Sequence, residues 1–387
     1  MSFFSRAPEN NIALLDIRTD SIGASYIFKN TAGIFVTCYS VRASYAPHDG
    51  ESEFDAREAA LKSLLDTLIR TGAPLLARAT GNGSVSSVQV RIQASLLDSS
   101  IQSFNDVFTV PKAITHKLLV EHVQKNRVQK ENYEQLEEQV LACSLNGYTI
   151  ANPIGKYATR VETTVYSSFI DRRFAENCKK LVREAFHTRA ITISTSELAI
   201  TSSVSALYPY ENDALLVLVS DSETSIAQIK DGYVVALTTA PQGVRALLSS
   251  ARAAGKKANQ DTHKDSGNND STVETTAAKN LLFSEHAKLA EDVWANGIAQ
   301  ALQPLAANFV LPKTLFLIAD TDVRDFISRI FRNPPLSNVW LSDTAATTIP
   351  LGARQFGSST GVDESSGDPY LSAYVYYNNG PIKNEVL

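Results

Sequence analysis

The feature that most constrains the fold is a pattern that occurs twice. Near the N-terminus the apolar run Ile12 to Ile17 is broken only by Asp16, and a second apolar run, Ile22 to Phe28, follows four polar residues. The turn "KNTAG" (29–33) then leads into a segment where Ile34, Val36 and Cys38 alternate. Alternation bounded by turn residues predicts three antiparallel strands. The stretch "DALLVLVSDSETSIAQIKDGYVVALTTA" (213–240) repeats the order, with Lys230-Asp231-Gly232 as a hairpin turn. Two such meanders in one chain point to an ancient duplication and two similar lobes.

At 387 residues the chain is too long for one small core, so two domains, or one with an insert, is the expectation. A net charge of -5 gives no general attraction to nucleic acid or anionic lipid. Cys38, Cys143 and Cys178 are far apart and show neither zinc nor redox spacing, which suits buried thiols in a reducing cytoplasm. "MSFFSRAPENN" lacks the apolar run of a signal peptide, and no stretch reaches the roughly 20 apolar residues of a spanning helix.

Between the meanders, helical periodicity covers 53–72, with Leu61, Leu64, Leu65 and Leu68 on one face and Gly72 as the stop. A strand follows over 85–96, a charged helix near 112–127, and strands near 138–148 and 157–170. Residues 85–170 read as an inserted strand–helix–strand–strand subdomain. Residues 1–84 and 171–210 then make the first lobe, the latter with an amphipathic helix (171–189), a strand and a helix (196–207). The second lobe is 211–342, with disorder expected over 255–279, a helix over 281–303, a strand over 314–320 and a helix capped by Thr321. From 343 to 387 the Gly, Ser and Asp content predicts a poorly packed tail.

Two polar-turn hairpins, an inserted block and a late strand–turn–helix resemble the layout of actin-like ATPases, a duplicated, ribonuclease H-like α/β fold. Within the insert, "LNGYTIANPIGKYATRVETTVYSSF" resembles a motif of the FtsA and PilM families. Asn146, Gly147, Tyr148, Asn152, Pro153, Gly155, Arg160, Val161 and Glu162 carry the match, while Thr159 replaces the usual Gly before the Arg. The residues themselves are turn formers: Asn-Gly suits a hairpin, and Pro153 with Gly155 fixes the next turn. Partner binding through Asn146, Gly147, Tyr148, Pro153 and Arg160 is the functional alternative to that structural role.

The resemblance implies a nucleotide cleft, and the loops depart from its pattern at three places. The first loop usually resembles D-(I/L)-G-(S/T)-x-(S/T). Here Asp16, Thr19 and Ser21 match, but Arg18 replaces the glycine and Asp20 adds a negative charge where phosphate is expected. In the second loop, aligned over Leu218 to Ser225, Leu218 stands where a magnesium-organising Asp is expected, and a hard cation needs oxygen. Ser220 and Asp221 replace close-approach glycines, while Thr224 keeps a hydroxyl. The third loop, usually Gly-Gly, reads Ala319-Asp320. Glu197 resembles the acid that can orient an attacking water in the family. Phosphoryl transfer depends on positioning and charge stabilisation, so these departures predict a vestigial site without metal or cofactor. ATP with Mg is the alternative.

No Ser-hydrolase elbow, P-loop or dinucleotide fingerprint occurs, the six histidines read as surface residues, and a sugar-kinase relative would need intact phosphate loops. The resemblance implies a non-catalytic scaffold at the cytoplasmic face of the inner membrane, serving pilus assembly or cell division. Its partner would be an inner-membrane assembly protein or its cytoplasmic tail, taken in PilM-like proteins by a groove between insert and first subdomain, with self-association possible. An active ATP-binding protein of the FtsA type is the alternative.

Overall fold

A computed structural model of the chain describes residues 11–127, 129–150, 152–259, 287–308, 310–332, 336–340, 346–357 and 367–380. In the first lobe β1 (Asn11–Ile17), β2 (Ser21–Lys29) and β3 (Phe35–Ser44) form the expected antiparallel meander. β4 (Ser87–Ile92) and β9 (Ile191–Thr195) extend the sheet in parallel from the other side of β1, giving the order β3-β2-β1-β4-β9.

The second lobe repeats this strand for strand. β10 (Ala214–Val219), β11 (Thr224–Lys230) and β12 (Tyr233–Ala240) form the meander, and β13 (Thr314–Ile318) and β14 (Thr347–Leu351) add in parallel, in the order β12-β11-β10-β13-β14. The duplication legible in the two meanders therefore extends to both whole sheets.

The helices follow the same symmetry. In the first lobe α1 (Glu53–Thr67) and α2 (Ala73–Thr80) cover one face with α4 (Arg172–Phe186); in the second, α6 (Val244–Asn259), α7 (Ala287–Asn308) and α8 (Thr321–Ile330) do so. A further helix follows the last strand of each sheet: α5 (Ser196–Leu207) after β9 and α9 (Pro369–Asn379) after β14. These two pack against each other between the lobes, where Ser203 Oγ donates to the Ala373 carbonyl at 2.8 Å. Ile12 and Leu14 of β1, Leu216 and Leu218 of β10, and Phe316 and Ile318 of β13 share a core with α5 and α9. The other face of β1 (Ala13, Leu15, Ile17) packs under α1 and α4. Burial on both faces explains why β1 reads as an almost unbroken apolar run.

The insert is a sheet of order β5-β8-β6-β7, formed by β5 (Asp98–Ala113), β6 (Tyr133–Leu145), β7 (Tyr148–Thr149) and β8 (Tyr157–Asp171). Its helix α3 (His116–Lys125) packs Leu119 against Cys143, Leu145, Ala158 and Val161. Asn146 and Gly147 (φ +52° and +89°) close the β6–β7 hairpin, and Asp231 and Gly232 (φ +52° and +79°) close β11–β12. Both are the positive-φ pairs a two-residue hairpin needs.

Several expectations are corrected. The strand read over 85–96 is β4, which belongs to the first lobe; the insert's first strand is β5, whose polar outward residues hide it. Gly72 does not stop a helix: a π-helical turn (Leu68–Gly72) joins α1 to α2, which ends at Gly81 in the left-handed conformation. Gly72 is there for contact, since a Cβ would stand 2.7 Å from both Tyr26 and Tyr39 ring carbons. His122 is buried, with Nδ1 2.7 Å from Asp106 Oδ2. The cap of α8 is Asp320, not Thr321. The described part of the tail is well packed: β14 completes the second sheet, and α9 buries Tyr370, Leu371, Ala373, Tyr374 and Val375; the rest of 343–387 lies outside the described residues. Of the segment expected to be disordered, 255–259 end α6 and the rest lies outside the described residues.

Candidate functional site

The cleft between the lobes is where the strand ends of β1, β10 and β13 converge; the chain's own side chains bond across it, beside a cavity of about 450 Å³ lined by Arg42, Asp320 and Asp368. Asp16 lies in the β1 row that faces α9 and is fully buried. The chain then turns through Arg18, whose amide donates to the Ser21 carbonyl at 2.9 Å. Arg18 is 2% exposed. Its Nε donates to Asp16 Oδ2 at 2.7 Å, and its guanidinium carbon lies 3.4 Å from the centre of the Tyr370 ring on α9. Arginine over a desolvated aromatic face is a favourable pairing that lysine would not reproduce.

Asp16 anchors the cluster. Arg42 Nη2 reaches its Oδ2 at 2.6 Å, and the Tyr374 hydroxyl donates to its Oδ1 at 2.7 Å. Burial alone would raise the Asp16 pKa, but Arg18, Arg42 and these hydrogen bonds hold it at about 2. Burial likewise opposes the charge of Arg18, yet Asp16 beside it keeps its pKa well above the usual value. Arg42 Nε also donates to Asp368 Oδ2 at 2.6 Å, and Asp368 caps α9 by accepting from the Tyr370 and Leu371 amides. The Tyr370 hydroxyl donates to the carbonyls of Val219 at 2.7 Å and Ile318 at 3.2 Å, spanning the ends of β10 and β13. Tyr374 also bonds Ser196 Oγ at the start of α5.

The two hairpin loops touch directly. Ser222 donates its amide to Asp20 Oδ2 at 2.5 Å, and its hydroxyl lies 2.6 Å from Thr19 Oγ1. A loop amide of the kind that would face a phosphate oxygen here meets an internal carboxylate. Gln93, at the end of β4, adds a third link by donating to Glu223 Oε1 at 2.7 Å. The Ser220 and Asp221 carbonyls accept from the Val244 and Arg245 amides at the start of α6. Their approach is so close that a Cβ at Gly243 would stand 2.3 Å from the Asp221 oxygen.

The predicted site residues Asp16, Arg18, Thr19, Ser21, Glu197, Ser220, Thr224 and Ala319 all belong to this cleft or its walls. Ser21 Oγ accepts from Arg42 Nη1 at 3.2 Å, and Thr224 Oγ1 donates to the Gln242 carbonyl at 2.6 Å. Leu218 is buried in the interlobe core, and Ala319 is buried directly after Ile318. Glu197 is buried in the first turn of α5, where its Oε2 accepts the Ala94 amide at 2.8 Å. Burial pushes its pKa up to about 7, which brings the exchange of its proton close to neutral pH. Among the described residues no group of three His, Cys, Asp or Glu is placed to hold a metal ion.

Sequence reasoning missed Asp20 and Ser222 as partners, Arg42, and Tyr370 and Tyr374 on α9. Asp368-Pro369 at one end and Gly380 at the other are ordinary helix start and stop signals that mark α9.

The motif residues of the insert lie elsewhere, at the end of the sheet away from the first lobe. Asn146 Oδ1 accepts the amides of Thr159 and Arg160, both at 3.0 Å, so it builds the tip. Pro153 is buried, which corrects its assignment to a contact surface. Arg160 bonds Asn105 at 3.2 Å and Glu162 at 3.4 Å, whereas Tyr148 is exposed. A separate cavity of about 560 Å³ lies between insert and second lobe, lined by Ser99 to Ile101 of β5, Val235 to Leu237 of β12, and Pro304 and Leu305 of α7. Both β5 and β12 are edge strands of their sheets.

No protein-family model matches the chain, and no curated protein matches it in sequence. Among solved structures it is similar to a chain of the PilM-PilN type IV pilus biogenesis complex, at 10% identity and a TM-score of 0.57, covering 96% of this chain and 98% of that one. It also matches the ethanolamine utilization protein EutJ from Carboxydothermus hydrogenoformans at 11% identity and a TM-score of 0.46, covering 97% and 92%. With the duplicated five-stranded lobes, the insert after β4 and the helix pair between the lobes, the chain has the actin-like ATPase fold in a PilM-like form.

Proposed function

We propose that this chain is a non-catalytic actin-like scaffold that binds the cytoplasmic tail of an inner-membrane assembly protein, as a PilM-type component of a pilus machine. The observation that carries the reading is that the cleft loops are bonded to each other. Asp20 holds the Ser222 amide, Arg18 lies between Asp16 and Tyr370, and Leu218 replaces an oxygen ligand for magnesium. A triphosphate entering here would meet Asp16, Asp20 and Asp368, and the two arginines nearest it are already paired.

The similarity to a structure in which PilM is complexed with PilN supports the partner class. The cavity between the β5 and β12 edges offers backbone groups to an extended peptide, the usual basis of strand addition. A cytoplasmic location at the inner membrane face, pilus rather than division machinery, and self-association belong to the same proposal.

Thermal unfolding with and without Mg-ATP tests it. A ligand that binds only the folded state raises the midpoint, by about 2.7 kcal/mol of stabilisation at a hundredfold excess over Kd. The scaffold reading expects no shift. A saturable rise would establish the rival, an ATP-binding protein of the FtsA type whose loops have diverged.

A further inference from the structure

The far end of the insert combines solvent-facing apolar side chains with an excess of basic residues. β8 runs from Tyr157 at the tip to Asp171, which caps α4 in the first lobe, so the tip lies roughly 45–50 Å of strand from α4. Three segments meet there. The end of β5 pairs with the start of β8, with Val107 opposite Arg160, Lys112 opposite Ala158 and Ala113 opposite Tyr157. The β6–β7 hairpin places Tyr148 opposite Leu145, and the Asn146 amide donates to the Arg160 carbonyl at 2.9 Å.

Val107 (72%), Tyr148 (76%) and Tyr157 (70%) stand in solvent at this end, with Val110 and Ile154 also exposed. Scattered apolar residues on a surface mean little, but a cluster at one tip marks a contact site. The charge is equally one-sided. Residues 107–120 and 139–161 contain no Asp or Glu, yet they carry Lys112, Lys117, Lys156 and Arg160 in a chain of net charge -5. Lys117 pairs with Glu121 and Arg160 with Glu162, and Asp106 is held by His122 and Lys125, so the charge left over at the tip is that of Lys112 and Lys156.

We propose that this tip docks directly on an anionic lipid bilayer. The complementarity is specific in kind: lysines attract the negative surface, tyrosines settle at the headgroup level, and valine and isoleucine reach the acyl boundary. A bilayer is favoured over a peptide because the exposed residues come from three separate segments, the end of β5, the β6–β7 hairpin and the start of β8. They do not line the cavity between β5 and β12 described above. A bilayer can take side chains from all three segments at once, whereas strand addition would engage only the β5 edge. The contact is independent of the cleft and of any protein partner, so it stands whether or not the scaffold reading holds.

The test is co-sedimentation of the full chain with vesicles. Phosphatidylcholine vesicles containing phosphatidylglycerol are compared with pure phosphatidylcholine, at low and at raised salt. Binding is expected to the anionic vesicles only and to fall as salt rises. Lys112→Ser with Lys156→Ser is expected to weaken it roughly 30-fold. Tyr148→Ser with Tyr157→Ser is expected to abolish stable binding. All four positions are exposed, so an unchanged Tm verifies that each variant is folded. No binding to anionic vesicles at low salt overturns the proposal, as does binding that ignores these substitutions. Tip variants that bind vesicles like the parent but lose a soluble acidic peptide would reassign the tip to a protein partner and overturn it equally.

Discussion

At the residue scale, the Arg18–Asp16 pair decides the character of the cleft. An arginine where phosphate loops carry glycine is legible in the sequence, but its meaning depends on Tyr370, far away in the chain. Removing one member of a buried pair leaves an uncompensated charge. Arg18→Ala is therefore expected to cost about 2–4 kcal/mol in urea unfolding, softened because Arg42 still meets Asp16. Two carboxyls set opposite pH dependences. Asp16, held at about 2 against an ordinary 3.8, adds stability that is complete above the ordinary value and lost as pH falls through 2. Glu197, raised to about 7 from 4.5, does the reverse: its contribution is present below 4.5 and lost as pH rises through 7. Glu197→Gln keeps an acceptor for the Ala94 amide and removes the buried charge. It should raise unfolding stability at pH 8 by about 2 kcal/mol and flatten the profile between pH 4.5 and 7. A variant no more stable than the parent at pH 8 would contradict that assignment.

At the element scale, α9 joins the lobes. Tyr374→Phe keeps the ring but deletes the hydrogen bonds to Asp16 and Ser196, and about 1–3 kcal/mol of stability should go with them, read from the urea midpoint. Gly72→Ala should destabilise the first lobe by about 1–3 kcal/mol, because its methyl must displace two tyrosine rings. The elements show how far the sequence could be read. The meander strands were legible as short apolar runs between polar turns, and α4 by its apolar stripe. β5 was not, since a strand exposed along most of its length carries little apolar signal. α9 was hidden by the Gly- and Ser-rich residues before it, although Asp368-Pro369 announced its start. Gly72 was misread because glycine serves both as a stop and as a place of close approach, and periodicity alone does not separate the two.

At the scale of the whole molecule, two copies of one sheet topology close on each other through contacts made by the chain itself. Thr19 and Asp20 meet Ser222, Gln93 meets Glu223, and Tyr370 ties α9 to both β10 and β13. Actin-like lobes that grip a ligand need it to bridge their loops; here side chains form that bridge. The first loop's departures were visible in the sequence, but the closure is a long-range property that no local pattern encodes. The most direct measurement is hydrogen exchange at the two hairpin loops, 18–21 and 220–223, with and without Mg-ATP. A cleft closed by its own side chains gives a Ser222 amide already protected without nucleotide and unchanged when nucleotide is added. Rapid exchange that slows only with Mg-ATP would contradict the account.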